Sequence, residues 1–187
     1  MKKIPTLFER VYEGKRKVGI NNKVYPGMEW VLDGQGIATE KIDGSCCAII
    51  DGKFYRRYDA KRGKTPPSGA IPCCDPDPIT GHWPHWVPVN ENDKGDQWYV
   101  EAYRNSNCPK EEGTYEAIGP HFQSNPYKLD KDIMEKHGIR ILNDVPRSFE
   151  GIRDYLENHY IEGIVFWKDN QPQCKIKRSD FGFPWKS

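Results

Sequence analysis

Short apolar runs separated by turn-forming residues dominate the hydrophobic pattern of this chain, and such runs are typical of β-strands. Cys46–Ile50 is the clearest run, and Asp51-Gly52 separates it from a second one, Lys53–Tyr58. An Asp-Gly pair between two such runs predicts a β-hairpin. By the same criteria we predict further strands at Thr6–Tyr12, Met28–Leu32, Trp98–Tyr103, Thr114–Gly119, Ile161–Trp167 and Gln173–Arg178.

Two segments carry helical signals instead. In Ser148–Tyr160 the apolar residues recur at helical spacing and are expected to face the core. Asp130–His137 is predicted as a shorter helix, because Asp130 suits the N-cap and Gly138 follows its end. Gly14–Lys23 is predicted as a basic, polar loop. An irregular proline-rich insertion at about 65–96 is expected to sustain neither a helix nor a central strand.

The composition indicates a folded chain in one domain, residues 1–187. Hydrophobic residues make up 36% of the 187 residues and aromatic residues 12%, although the mean hydropathy is −0.84. A net charge of +1 neither demands nor excludes a nucleic-acid partner. No apolar run approaches the length of a membrane span, and the N-terminus lacks a signal-peptide pattern. We therefore expect a monomeric cytoplasmic or intracellular protein whose six cysteines are free thiols or metal ligands.

The proline-rich insertion contains Cys73, Cys74, His82 and His85, which raises the hypothesis of a zinc site. The spacing is poor, because paired cysteines in structural zinc sites are separated by two to four residues. The aromatic stretch Gly81–Val89 is expected to pack as a covering loop, with a role in holding substrate as the alternative. The basic residues of Lys61–Lys64 are interpreted either as a solvated loop or as a phosphate-contacting patch.

One lysine stands out by its context. Lys41 lies in a polar turn between two apolar stretches, beside Asp43 and the permissive Gly44, so its amine is well placed to meet a ligand. Lys175 and Lys177 are two residues apart in a predicted strand, so both side chains point to the same face. Each of these patterns taken alone recurs by chance.

Glu162 is a single acid in an apolar run, and a hard cation such as Mg²⁺ prefers carboxylate oxygen. Two alternatives stay open at this point: Glu162 could be an exposed strand residue, and Lys175 and Lys177 could form the solvated face of an edge strand.

Four segments in order resemble motifs I, III, IV and V of the covalent nucleotidyltransferases, the polynucleotide ligases and mRNA capping enzymes. They are Lys41-Ile42-Asp43-Gly44, Tyr115-Glu116-Ala117-Ile118-Gly119-Pro120, Glu162-Gly163-Ile164-Val165 and Lys175-Ile176-Lys177. Within that superfamily the chain looks most similar to the compact RNA ligase 1 family of 5′-to-3′ RNA ligases, found in vertebrates, large viruses and phages. Glu40 before the lysine and Asn125-Pro126-Tyr127 add to this similarity.

The resemblance implies an α+β nucleotidyltransferase (ATP-grasp-like) domain, with antiparallel sheets around a nucleotide cleft and flanking helices. It implies ATP-dependent joining of RNA 5′-phosphate and 3′-hydroxyl ends through a lysyl-AMP and an adenylated RNA end. ATP and Mg²⁺ (or Mn²⁺) are the expected cofactors, and RNA ends are the expected partners. DNA or nick sealing by the same fold, or a catalytically silent RNA-binding module, are the alternatives.

The resemblance also implies a role for each matching residue. Lys41 would carry the AMP, and Lys175 and Lys177 would contact the α-phosphate. Glu162 and Glu116 would bind the metal, with Glu116 also near the ribose. The remaining expected nucleotide-binding residues are Glu40, Asp43, Gly44, Arg57 and, as the ring that stacks on adenine, Tyr127. Lys61–Lys64 and Trp83–Trp86 are the expected surfaces that grip RNA.

Overall fold

A computed structural model describes residues 3–78 and 81–186 as mostly antiparallel β-sheet with few helices. The strands are β1 (Phe8–Glu13), β2 (Arg16–Val24), β3 (Ile37–Glu40), β4 (Ser45–Ile50), β5 (Lys53–Ala60), β6 (Ile71–Pro72), β7 (Trp83–Pro88), β8 (Gly113–Ile118), β9 (Ile133–Lys136), β10 (Gly163–Lys168) and β11 (Gln171–Lys177). The helices are α1 (Gln97–Asn105) and α2 (Phe149–Asn158), and short 3₁₀ turns cover Glu29–Val31, Lys94–Asp96 and Arg178–Asp180. Within the described ranges, no helix has the length and apolarity needed to cross a membrane.

The described residues form two compact units. We call residues 3–42 and 138–186 the Lys41 unit, and residues 43–78 and 81–137 the Glu116 unit. The prediction of a single domain stays a prediction.

In the Lys41 unit, β1 and β2 form an antiparallel ribbon, and β11, β10 and β3 form a sheet in that order. Helix α2 packs on this sheet through Ile152 and Leu156, which join a core containing Phe8 and Phe166. The helix predicted from the periodicity is confirmed, and its N-cap is Ser148, whose Oγ accepts a hydrogen bond from the Gly151 amide at 3.1 Å.

In the Glu116 unit, six strands form one antiparallel sheet in the order β6-β7-β5-β4-β8-β9. The predicted hairpin between β4 and β5 is confirmed, and Asp51 (φ 49°) and Gly52 (φ 68°) both adopt the positive φ of a type I′ turn. Helix α1 contacts β8 and β9 on the side where Ala117, Phe122 and Met134 form a core.

Two predicted elements of this unit have the opposite type. Trp98–Tyr103 was predicted as a strand but lies in α1, because its aromatic side chains pack against the sheet from a helix. Asp130–His137 was predicted as a helix, but β9 lies there and pairs with β8 from Ile118↔Ile133 to Tyr115↔Lys136. In both segments, contacts with distant residues override local propensity.

Two N-terminal predictions are also wrong. Gly14–Lys23 is not a loop, because β2 lies there and pairs with β1. This ribbon is so exposed that its sequence does not alternate between apolar and polar residues. Met28–Leu32 contains a 3₁₀ turn instead of a strand, and Val31 is the side chain that this turn buries completely. A turn with one buried residue carries little periodicity to detect.

The proline-rich segment contains a central strand. Both the prediction that it forms no such strand and the prediction that Gly81–Val89 packs as a covering loop are therefore wrong. β7 lies between β6 and β5, and its residues His85 and Trp86 are buried. Pro84 and Pro88 lie near the ends of β7, and proline lacks only the amide donor: the Pro84 carbonyl still accepts a hydrogen bond from the Cys73 amide at 2.9 Å. The buried His85 and Trp86 also argue against this stretch as a surface that grips RNA.

Candidate functional site

Lys41 follows β3 directly, where its backbone amide donates a hydrogen bond to the Gly163 carbonyl at 2.8 Å. This bond continues the pairing of β3 with β10, and Glu162 immediately precedes β10. On the other side of β10, Lys177 of β11 lies opposite Gly163. The order β11-β10-β3 therefore brings together residues that are more than 120 positions apart in the chain.

The Glu162 carboxylate is the centre of this group. It is 5% exposed, and its two oxygens contact different lysines: Oε2 lies 2.6 Å from Lys41 Nζ, and Oε1 lies 3.3 Å from Lys177 Nζ. A buried charge that is paired on both oxygens avoids the cost of burying an unpaired charge. The alternative that Glu162 is an exposed strand residue is therefore wrong.

Gly163 explains how the strands approach so closely at this point. A Cβ at this position would lie 2.2 Å from the Ile176 carbonyl oxygen and 2.9 Å from the Lys177 Cα, both backbone atoms that cannot move aside. Glycine is thus required beside Glu162 for packing, because only the missing side chain lets β11 lie there.

The surroundings of Lys175 disfavour its charged form. Burial is the largest cause that lowers the pKa of Lys175 from 10.5 to about 8; the charges of Lys41, Lys177 and Arg10 act in the same direction, and Glu162 acts in the opposite one. β11 is not an edge strand here, because the Lys175 amide and carbonyl bond to Pro5 and Leu7 at 3.0 and 2.8 Å. The alternative of a solvated edge strand is therefore wrong for Lys175, whereas the Lys177 side chain is 35% exposed.

We expect the Lys175 ammonium to destabilise the folded protein at neutral pH. Its folded pKa of about 8 lies below its ordinary value of 10.5, so the native state binds fewer protons than the unfolded state between these values. Stability therefore rises with pH from about 8 to 10.5, by up to about 3 kcal/mol at about 1.4 kcal/mol per pH unit. Lys175→Met should abolish this rise and be more stable than the wild type at pH 7.

Urea unfolding at a series of pH values measures this effect as the difference between the two proteins, which removes the titration of other lysines. Lys23→Met is the matched control, since the Lys23 side chain is 71% exposed. The stability difference between wild type and Lys23→Met should not change with pH in this way. A constant difference between wild type and Lys175→Met across this pH range would contradict the expectation.

Glu40 has a partner that the sequence did not indicate. Its Oε1 accepts a hydrogen bond from Arg140 Nη1 at 3.0 Å, and the Glu40 amide bonds to the Arg140 carbonyl at 2.9 Å. The Glu40 side chain is 13% exposed, so the pair is largely shielded from solvent. Arg140 thus orients the residue next to Lys41.

The other predicted residues belong to the Glu116 unit. Glu116 of β8 is 8% exposed, and its Oε1 accepts a hydrogen bond from the Gly44 amide at 3.1 Å. Its Oε2 lies 2.7 Å from His137 Nε2, a partner that sequence reasoning missed. The Asp43 amide donates to the Tyr127 hydroxyl at 2.8 Å, so Tyr127 is tied to the turn through its polar end.

Gly44 is also required by close packing. A Cβ there would lie 2.2 Å from the Ala117 carbonyl oxygen and 2.9 Å from Glu116 Cγ. Arg57 of β5 pairs with Asp59 at 2.8 Å. Burial and the Glu116 carboxylate raise the pKa of the Cys46 thiol to about 12. The nearby Arg57 charge acts in the opposite direction. Without a bound metal ion, Cys46 is therefore protonated at neutral pH.

The hypothesis of a zinc site in the proline-rich insertion is wrong. In the described part of the chain, Cys73, Cys74, His82 and His85 do not form a group of ligand atoms close enough for a metal ion. His85 is buried in β7, and its Nδ1 lies 2.8 Å from the Trp83 carbonyl oxygen.

Comparison with known proteins indicates a function class. No family model matches the chain. The chain is similar to RNA ligase 1 of Rattus norvegicus, with 25% identity over an alignment of 225 positions that covers 80% of this chain and 68% of the relative. The chain is thus a distant relative of a protein named as an RNA ligase.

Proposed function

We propose that this chain is an ATP-dependent RNA ligase that joins an RNA 5′-phosphate to a 3′-hydroxyl through an AMP carried on Lys41. The observation that carries the proposal is the buried Glu162 carboxylate between the amines of Lys41 and Lys177. Cations beside a candidate nucleophilic amine suit a reaction at phosphorus, which depends on positioning and charge stabilisation. The similarity to RNA ligase 1 supports the same class.

In the first step Lys41 Nζ forms a bond to the α-phosphorus of ATP, and the bond from that phosphorus to the bridging oxygen breaks to release pyrophosphate. The attacking amine must be neutral, and Glu162 Oε2, at 2.6 Å, is within reach to accept its proton. Lys175 and Lys177 would stabilise the charge that develops on the phosphate oxygens.

In the second step an oxygen of the RNA 5′-phosphate attacks the same phosphorus, and the bond to Lys41 breaks. The Lys41 amine regains its proton, and the RNA end carries AMP through a new phosphoanhydride. In the third step the 3′-hydroxyl oxygen attacks the RNA 5′-phosphorus, loses its proton and displaces AMP. No oxidant or further reactant is needed.

Glu162 fits a magnesium or manganese ion by its donor type, since both ions prefer carboxylate oxygen. Such an ion would share this carboxylate with Lys41 and Lys177, so contact through water suits it best. When bound, it would neutralise charge on the triphosphate. Glu116 fits less well, because a sulfur and an imidazole nitrogen flank its carboxylate.

The remaining predicted residues have supporting roles in this proposal. Arg140 would hold Glu40 beside the nucleophile, and Glu116 would hold the Gly44 amide so that the turn after Lys41 keeps its shape. The ring of Tyr127 would contact the base, and Arg57 would contact phosphate or ribose.

Purified protein incubated with Mg²⁺ and α-labelled ATP, and separately with α-labelled GTP, tests the first step on a denaturing gel. We expect a covalent label from ATP only. Adding 5′-phosphorylated RNA with a free 3′-hydroxyl should then discharge the label and give joined RNA, whereas matched all-DNA ends should not be joined.

Each other outcome of this experiment selects another function. Label from GTP would indicate a capping reaction instead. Equal joining of DNA would indicate a DNA or nick-sealing ligase instead of an RNA ligase. No label with either nucleotide across a range of metals and pH values would contradict catalysis and leave a silent RNA-binding module.

A further inference from the structure

Three potential metal ligands lie together on one face of the six-stranded sheet of the Glu116 unit. Cys46 Sγ, a Glu116 carboxylate oxygen and a His137 ring nitrogen all lie within 4.8 Å of one another. Among the described residues, these three are the histidine, cysteine or acidic side chains whose ligand atoms lie close enough together to hold a metal ion. None of the contacts that define it involves the Lys41 unit.

Strand register puts these side chains on the same face. Cys46 of β4 lies directly opposite Glu116 of β8. His137 directly follows β9, and its amide donates to the Thr114 carbonyl at 3.0 Å, which places it diagonal to Glu116 across the ladder. Residues two apart on a strand share a face, so all three side chains converge.

Two of the three ligands are already oriented. The Gly44 amide holds Glu116 Oε1 at 3.1 Å, and Thr114 Oγ1 lies 2.9 Å from His137 Nδ1. With an ion bound at Nε2 in place of the Glu116 contact, the proton would lie on Nδ1 and be donated to Thr114 Oγ1. A ligating histidine is ordinarily fixed in this way by a hydrogen bond from its second ring nitrogen.

We propose that Cys46, Glu116 and His137 form a site for a borderline transition-metal ion of the Zn²⁺ class. Binding would release the proton of the Cys46 thiol, and the resulting thiolate, an imidazole and a carboxylate suit a tetrahedral zinc ion whose fourth position is open to water. Mg²⁺ does not fit this set, because it demands near-octahedral oxygen coordination. The site differs from the zinc hypothesis of the insertion in all its residues, and it does not rest on the proposed ligase activity.

Sequence spacing could not reveal this site. The three ligands are spread over 92 positions, from residue 46 to residue 137, and no two of them lie in one short motif. The three ligands come together because β4, β8 and β9 are neighbours in the antiparallel sheet, and this order is a property of the folded protein.

Titration of chelator-treated protein with Co²⁺ tests the proposal without any activity assay. Co²⁺ replaces Zn²⁺ in tetrahedral sites, and a thiolate ligand produces a sulfur-to-metal charge-transfer absorption. We expect this absorption together with tetrahedral d–d bands, saturating at one Co²⁺ per chain, and loss of both on addition of Zn²⁺.

Variants assign the ligands. Cys46→Ser should remove the charge-transfer absorption, and His137→Gln should weaken Co²⁺ binding by about tenfold or more. Cys73→Ser is the matched control, because Cys73 is a partly buried thiol close enough to influence Cys46 electrostatically, and it should keep the full spectrum. Circular dichroism checks that each variant is folded.

Two results would overturn the proposal. One is wild-type protein without the charge-transfer absorption at excess Co²⁺, which would leave Glu116 and His137 as a hydrogen-bonded pair beside a neutral thiol. The other is an absorption that survives in Cys46→Ser and disappears in Cys73→Ser. The first result needs no variant, so a folding failure of Cys46→Ser leaves the test intact.

Discussion

Lys41→Ala should carry no covalent label after incubation with α-labelled ATP, a loss of more than about a thousandfold relative to wild type. The reason is that the proposed bond to phosphorus forms at Lys41 Nζ, and among the described residues it is the Lys41 amine that contacts Glu162 Oε2. Lys177 reaches the opposite oxygen of the same carboxylate, so it is not expected to replace Lys41. Quantification of label on denaturing gels measures the effect.

Lys41→Arg separates the charge of this residue from its reactivity. A guanidinium can still pair with Glu162, but it remains protonated and is no nucleophile, so the variant should fold normally and stay unlabelled. Lys23→Ala is the matched control, because Lys23 pairs with Glu9 at 3.0 Å in an exposed version of the same interaction. Wild-type labelling of Lys41→Ala would remove Lys41 from the mechanism.

Glu162→Ala should lower the free energy of unfolding by about 3 kcal/mol. The substitution leaves Lys41 and Lys177 without their shared carboxylate, beside a Lys175 whose pKa is already lowered by its surroundings. Breaking a buried ion pair costs about 3–5 kcal/mol, and the lower end applies because the lysine side chains stay 22% and 35% exposed. Urea unfolding at pH 7 measures the loss.

Glu9→Ala removes the carboxylate of the exposed Lys23 pair and should cost less than about 1 kcal/mol, which makes it the matched comparison. Lys175→Met combined with Glu162→Ala should restore part of the stability, because it removes one of the uncompensated cations. Equal losses in Glu162→Ala and Glu9→Ala would mean that the Glu162 pairs do not stabilise the fold.

The strand pattern was predictable where local chemistry and tertiary environment agree. Asp51-Gly52 requires positive φ at both positions, and those two residue types tolerate it best, so the hairpin is readable from the sequence. The apolar residues of Ser148–Tyr160 recur at helical spacing, which predicts a helix, and α2 lies within this segment. In such segments the information lies within a few neighbouring residues.

Predictions failed where distant contacts decide the conformation. The aromatic residues of α1 favour a strand by intrinsic propensity, but they form a helix because they pack on β8 and β9. Residues 130–137 carry helix-capping signals at both ends, yet β8 supplies a strand edge with which Ile133–Lys136 pairs. Neither partner is visible within the segment itself.

The sequence by itself determined the identity of the candidate residues and their order along the chain. Lys41, Glu162, Lys175 and Lys177 stood out from their local context, and the resemblance added Glu116. Only the tertiary structure decided which of them meet: Glu162 lies between two lysines because β10 lies between β3 and β11. It also supplied Arg140, Cys46 and His137, since side chains far apart in sequence become neighbours only through strand register.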